Sequence, residues 1–324
     1  MNRSDNFHLS DIQAGQDNTP DPVAFYLSAA RAKNTLRAYE ADLLAFKKAG
    51  GCIPATPGMV AHYIANQAAR LAVSTLRRRI AAIAWAHREL GFSDPTKNTK
   101  VRGVLRGIER HHGILQKRAK PFLLEDLAVV CRSLDNTPRD ARDKALLTVG
   151  FFGALRSSEL VSIRIEDIAS STNFLKALIR RGKTDQRQAG REIILPRIGH
   201  AACPVAACLQ WLAKTGRTHG WLFPALGRTD ATATHLSARQ VSRVICARRS
   251  QAGLLASGYS SHSLRSGFIT SASEGGMTPL QIANQSGHGS LESTLAYMRS
   301  EAEDIGNQIR NAMSKNCIKP KVRP

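Results

Sequence analysis

Apolar residues recur at helical spacing along most of this chain, and the pattern switches to strand-like only around Phe174–Leu195. There Phe174 to Arg180 and Arg191 to Leu195 read as two strands, with Gly182 to Gly190 as their loop. Such a chain folds mainly as α-helix with a small β-sheet, an α+β protein. Before the hairpin no strand is needed. Val23, Phe25, Tyr26 and Leu27 begin a helix after a polar, mobile tail over 1–20. Asn34 is placed to cap Thr35–Lys48, which Gly50-Gly51 stops; Thr56-Pro57 opens the next helix. Ser74 is placed to cap Thr75–Leu90, and residues 95–112 complete an all-helical segment. After 121 the pattern predicts helices over 124–134, 138–151, 156–163, 204–214, 236–255, 263–275 and 278–286.

A length of 324 residues predicts two domains. The net charge is +21, and its distribution is uneven. Residues 31–112 hold fifteen basic against five acidic side chains, and residues 113–324 hold thirty against sixteen. Both segments are therefore basic, as expected if both grip one polyanion, and nucleic acid is the indicated partner. Arg110, Lys117, Arg118 and Lys120 surround a linker at 113–121 that can lie along phosphates. The six cysteines are scattered, and His111-His112 has no third ligand, so no metal site is expected. No charged-then-apolar leader and no run of about 18 apolar residues is visible, so the expected compartment is the cytoplasm, without membrane contact.

The stretch Ser261–Arg299 carries the chemistry. His262 and Arg265 stand three apart and share a helix face; Gly287-His288-Gly289 follows, and Tyr297 closes the run. Arginine grips two phosphate oxygens with a planar fork, which lysine cannot do. Tyrosine can form covalent intermediates, but its phenol has a pKa near ~10, and neighbouring cations favour the phenolate. Taken singly, each of these residues has a structural alternative: a satisfied core histidine, a buried aromatic, a solvated charge.

The set as a whole resembles the tyrosine recombinases, the family of phage integrases and Cre-like enzymes. Their His-x-x-Arg, Gly-His and tyrosine signature is matched by His262, Arg265, His288 and Tyr297. Their earlier arginine motif is matched by Gly153-Ala154-Leu155-Arg156-Ser157-Ser158-Glu159-Leu160, and their hairpin lysine by Lys183 in Arg180-Arg181-Gly182-Lys183-Thr184. Ser286, where many relatives carry leucine, and Arg299, where many carry histidine or threonine, depart from the pattern at positions without a catalytic role.

The resemblance implies a site-specific recombinase that cleaves and rejoins strands through a 3′-phosphotyrosyl intermediate at Tyr297. Arg156 and Arg265 would neutralise the phosphate, His262 would move the tyrosine proton, and His288 would donate a hydrogen bond. Lys183 would protonate the leaving 5′-hydroxyl, and Glu159 would orient Arg156. It implies a SAM-like, all-helical core-binding domain at 21–112, a catalytic domain at 122–305 clamping DNA with it, and a C-terminal helix or tail at 306–324 that docks on a neighbour, packing on its own domain or fraying being the alternatives. The implied partners are double-stranded DNA with a recombination site and a homotetramer in synapsis, with the need for accessory DNA-bending proteins left open. No cofactor, metal or ATP is implied. Candidate DNA contacts are Lys33 and Arg37, then Arg77, Arg78 and Arg79, whose charge opposes their helix dipole. Arg239, Arg243 and Arg248 lie on the helix that relatives lay in the major groove, with Arg243 central. Two rivals remain. A type IB topoisomerase shares the chemistry but lacks this Cre-like layout, and a DNA-binding regulator would not need the catalytic set.

Overall fold

The computed structural model describes residues 32–113, 119–180, 190–225 and 234–287. The chain divides into two compact units, Met1–Lys117 and Arg118–Pro324.

In the first unit, four helices are described: α1 (Lys33–Lys48), α2 (Pro57–Gln67), α3 (Val73–Glu89) and α4 (Thr99–His112). α1 packs on α3 and α2 on α4, around Phe46, Val60, Ile64, Leu76, Ile83 and Val101. These are the apolar positions of the helical pattern, and aliphatic burial supplies the driving force. Thr56 caps α2 as expected, its Oγ1 accepting from the Met59 N–H at 3.2 Å, with Pro57 as the first helical residue. Two other expected caps are corrected. α1 starts at Lys33 behind Ala32, and α3 at Val73 behind Ala72, so Asn34 and Ser74 lie inside their helices. The expected single helix over 95–112 is interrupted after a 3-10 turn, where Asn98 accepts from the Lys100 N–H at 2.9 Å and starts α4 afresh. His87 is fully buried on α3. Its Nε2 accepts from the Ala55 N–H (2.8 Å) and its Nδ1 donates to the Ile83 carbonyl (2.7 Å).

The second unit is α+β. It runs α5 (Leu124–Arg132), α6 (Pro138–Phe152) and α7 (Ser157–Val161), followed by strands β1 (Ile168–Ser170), β2 (Phe174–Ile179) and β3 (Arg191–Pro196). Next come α8 (Pro204–Thr215), α9 (Ala238–Gln251), α10 (His262–Glu274) and α11 (Pro279–Ser286). The strands form an antiparallel sheet in the order β1-β2-β3, with Phe174 opposite Pro196 and Ile179 opposite Arg191. The hairpin is where period-2 patterning places it. β1, three residues long, is too short to show a period and was not anticipated.

The core of this unit is built on α6, which is buried from Ala145 to Phe151 and packs on α8, α10 and β3. Trp211 anchors α8 beneath the Trp221–Phe223 segment, its Nε1 donating to the Leu222 carbonyl at 2.8 Å. α11 starts with a reciprocal capping box: Gln281 Oε1 accepts from the Thr278 N–H (2.8 Å) and Thr278 Oγ1 from the Gln281 N–H (3.3 Å). The expected helix starting near Val23, the apolar stripe of Leu291, Leu295 and Met298, and the C-terminal tail lie outside the described residues.

Candidate active site

The turn Gly153-Ala154-Leu155 closes α6 and sets the direction of the next residue, Arg156. Ala154 takes a left-handed conformation (φ 47°), unfavourable for a residue with a Cβ. Its carbonyl accepts a 2.7 Å hydrogen bond from Arg265 Nη1 of α10. The same Nη1 donates to the Ser286 carbonyl at 2.6 Å. Arg265 is thus buried (3% exposed) and ties the α6–α7 turn to the carboxyl end of α11.

Arg156 stands at the start of α7. Glu159 Oε1 accepts from its Nη1 (2.8 Å) and Oε2 from its backbone N–H (3.0 Å). The spacing alone suggests a routine helical pair worth tenths of a kcal/mol. Burial changes that reading, because the Glu159 side chain is 1% exposed. The guanidinium of Arg156 also reaches the Gly287 carbonyl, at 3.5 Å from Nη1 and 3.4 Å from Nη2.

A third arginine joins this cluster that the sequence reading did not select. Arg191 Nη2 donates to Glu159 Oε2 (3.3 Å) and to the Ser286 carbonyl (3.3 Å), and its Nη1 to the Gln285 carbonyl (2.6 Å). Burial pulls the Arg191 guanidinium below its ordinary pKa; Glu159 opposes that shift and Arg156 adds to it. Its signal in the sequence is faint but present. Arg191 shares the inward face of β3 with buried Ile193 and Leu195, so a charge occupies an inward register.

Three arginines therefore donate to the carbonyls of Gln285, Ser286 and Gly287 at and just beyond the end of α11, where the helix dipole is negative and orphan C=O groups need donors. With one carboxylate among three guanidiniums, the cluster retains a surplus of positive charge suited to an anion. Gly287, just beyond α11, has φ +65°, and a Cβ there would sit 2.5 Å from Arg191 Nε, so two independent constraints favour glycine. His262 is exposed at the first turn of α10, three residues before Arg265. Of the expected catalytic set, Arg156, Glu159 and Arg265 are brought together. Lys183, His288 and Tyr297 lie outside the described residues, although Arg191 and Gly287 border the segments that carry Lys183 and His288.

The expected DNA contacts divide by exposure. Arg37 is exposed on α1, and Arg239 and Arg243 are exposed on α9; nothing is described of the Lys33 side chain. Arg77 pairs with Glu109 (2.8 Å) and Arg78 with Asp42 (2.7 Å), and both remain about half exposed. Arg79 turns inward, 16% exposed, donating to Tyr63 Oη at 2.6 Å. Arg248 is corrected from a duplex contact to a structural cation. It is 8% exposed, with its Nη2 2.7 Å from both Asp140 Oδ1 and Asp143 Oδ2, and a buried paired guanidinium does not meet a groove. These groups line a cleft of about 620 Å³ between α6 and α9, with Arg139 and Arg243 also in its wall. Among the described residues, no group of three or more His, Cys, Asp or Glu is placed to hold a metal ion. None of the helices described is long and apolar enough to cross a membrane.

The arginine cluster and the α+β frame around it define the class, and the comparisons agree. Residues 122–304 match the Phage integrase family. A XerD homologue of Selenomonas ruminantium, an integrase/recombinase, is 32% identical over 285 residues, covering 84% of this chain and 83% of the relative. The chain therefore belongs to the phage integrase family of tyrosine recombinases. The Cre recombinase of Escherichia phage P1 is 26% identical, with 79% and 80% of the two chains covered. In fold, a lambda integrase dimer bound to a COC′ core site aligns with TM-score 0.61 at 16% identity, over 85% of this chain and 74% of that one.

Proposed function

We propose that this chain is a site-specific DNA recombinase that breaks and rejoins duplex DNA through Tyr297, in the integration, excision or resolution of a mobile element or plasmid. The observation that carries the reading is the convergence of Arg156 and Arg265, remote in sequence, on the carbonyls of residues 286–287 immediately before His288. In the reaction the Tyr297 hydroxyl oxygen attacks phosphorus, forming a P–O bond to tyrosine as the P–O5′ bond breaks. His262 takes the phenol proton, and Lys183 gives one to the departing 5′-oxygen, which leaves as a hydroxyl. Charge grows on the non-bridging oxygens, and Arg156 and Arg265 oppose it, with His288 donating to the same phosphate. Fixed cations take the part that Mg²⁺ plays in other phosphoryl transfers, and the covalent link conserves the bond, so neither metal nor ATP is consumed.

The duplex is held by exposed Arg37, Arg77, Arg78, Arg239 and Arg243, with α9 as the reading helix. The XerD, Cre and lambda integrase relatives support double-stranded DNA as substrate. Exchange of strands between two duplexes calls for four subunits. The test uses nicked duplexes tiled across the DNA flanking the gene, without metal or ATP, and scores adducts that survive SDS. The wild-type chain is expected to give an adduct that Tyr297→Phe abolishes. Binding without an adduct on every fragment, or an adduct that persists in Tyr297→Phe, would overturn the reading.

A further inference from the structure

One side chain joins three elements of the second unit, β3, α7 and the carboxyl end of α11. Arg191 opens β3, the strand that leaves the loop bearing Lys183. Its Nη2 reaches Glu159, the carboxylate that holds Arg156, while Nη1 and Nη2 together hold the carbonyls of Gln285 and Ser286. Its stem passes under Gly287, occupying the space a Cβ would take. Gln285 fixes the same joint from the other side, its Nε2 donating to the Phe152 and Ile194 carbonyls at 2.8 Å each. The joint is largely shielded, the Arg191 side chain being 22% exposed and Glu159 1%.

The geometry points to Arg191 as a positioning residue for the phosphate site: it clamps the carboxyl end of α11 to β3 and to Glu159, and so sets the placement of Arg156 relative to Ser286 and Gly287. This rests on the recombinase reading above for its catalytic consequence, but the clamp itself does not. The planar fork is the essential feature. It serves Glu159 and two successive carbonyls from one rigid group, whereas a lysine retains the charge with a single pivoting ammonium. Misplacement of a catalytic group by an ångström is enough to cost about a hundredfold in rate.

The experiment uses the full-length chain as Arg191→Lys and Arg191→Met, each confirmed folded by circular dichroism. In the first arm, hydrogen exchange is followed without DNA. Peptides covering 279–287 should exchange about tenfold faster in both variants, while those from α8 stay at the wild-type rate. In the second arm, single-turnover cleavage of a nicked duplex and duplex Kd are measured together. Arg191→Lys should cleave ~10–100-fold more slowly with Kd within about twofold of wild type. Unchanged exchange at α11 would remove the clamp. Wild-type cleavage by Arg191→Lys would show that charge alone suffices, and a rate loss matched by an equal loss of affinity would make Arg191 a DNA contact instead. If the wild-type chain forms no adduct, the recombinase reading fails, and the exchange arm still decides the clamp.

Discussion

Replacing Asp143 with asparagine tests how strongly α9 is fixed to its unit. Asp143 is 2% exposed and lies between two guanidiniums. Its Oδ1 accepts from Arg142 Nε (2.9 Å) and Nη2 (2.5 Å), and its Oδ2 from Arg248 Nε (2.8 Å). Asp140 supplies the second negative charge through Arg248 Nη2 at 2.7 Å, so two cations and two anions balance. Asp143→Asn keeps the volume but leaves two arginines, 6% and 10% exposed at the side chain, facing one carboxylate. An amide also presents N–H groups to one guanidinium where an acceptor is needed. Removing one partner of a buried pair costs about 3–5 kcal/mol, and the low exposure leaves little screening to reduce it. In a unit of this size that corresponds to a melting temperature lower by ~6–20 °C. Thermal unfolding is followed by tryptophan fluorescence in a Trp85→Phe background, so that Trp211 and Trp221 report the second unit alone. Arg243→Gln, exposed in the same cleft, serves as the comparison and is expected to stay within about 0.5 kcal/mol. A loss below about 1 kcal/mol for Asp143→Asn would mean that water solvates these groups and that the network does not anchor α9.

Gly267→Ala should destabilise the second unit by about 3 kcal/mol or more, because the added Cβ would lie 2.0 Å from the Phe122 carbonyl oxygen and 2.6 Å from its carbon, and backbone cannot swing aside; urea unfolding with a near-wild-type midpoint would contradict it. Burial pushes the Cys131 and Cys208 thiols up to about 12, whereas Cys52 is exposed. Iodoacetamide at pH 8 should therefore modify Cys52 in the folded chain and reach the other two only after unfolding, as read by peptide mass spectrometry. Equal rates at all three would refute the buried assignment.

What the sequence made legible was whatever depends on near neighbours. Arg156 and Glu159 stand three residues apart, so the spacing places them as a pair, although only the fold shows how deeply Glu159 is buried. Arg191 was not legible because its partners, Glu159 and residues 285–286, are distant in the chain and meet it only when β3 packs beside α11. The misreading of Arg248 has the same origin. On α9 the arginines look alike in sequence, yet Arg239 and Arg243 face solvent while Arg248 finds Asp140 and Asp143 from α6. Helix starts erred where a local cue was overridden: Asn34 and Ser74 are good caps, but both helices extend one residue or more ahead of them. In contrast, Thr56-Pro57 and Thr278-Pro279 combine a cap with a proline in the first turn, and both starts were read correctly.

The bond lengths around α11 grade the three arginines in readiness. Arg265 holds two backbone carbonyls at 2.6–2.7 Å and Arg191 one at 2.6 Å and a second at 3.3 Å, whereas Arg156 meets the Gly287 carbonyl only at 3.4–3.5 Å. In host–guest terms, on the recombinase reading proposed above, the carbonyls would be surrogate guests, occupying the receptor until an anion displaced them. Exchange is cheapest at Arg156, whose surrogate bonds are weakest and whose orientation Glu159 preserves after they are given up. On that reading an entering phosphate would recruit Arg156 first and Arg265 after it, while Arg191 keeps the receptor's wall in place.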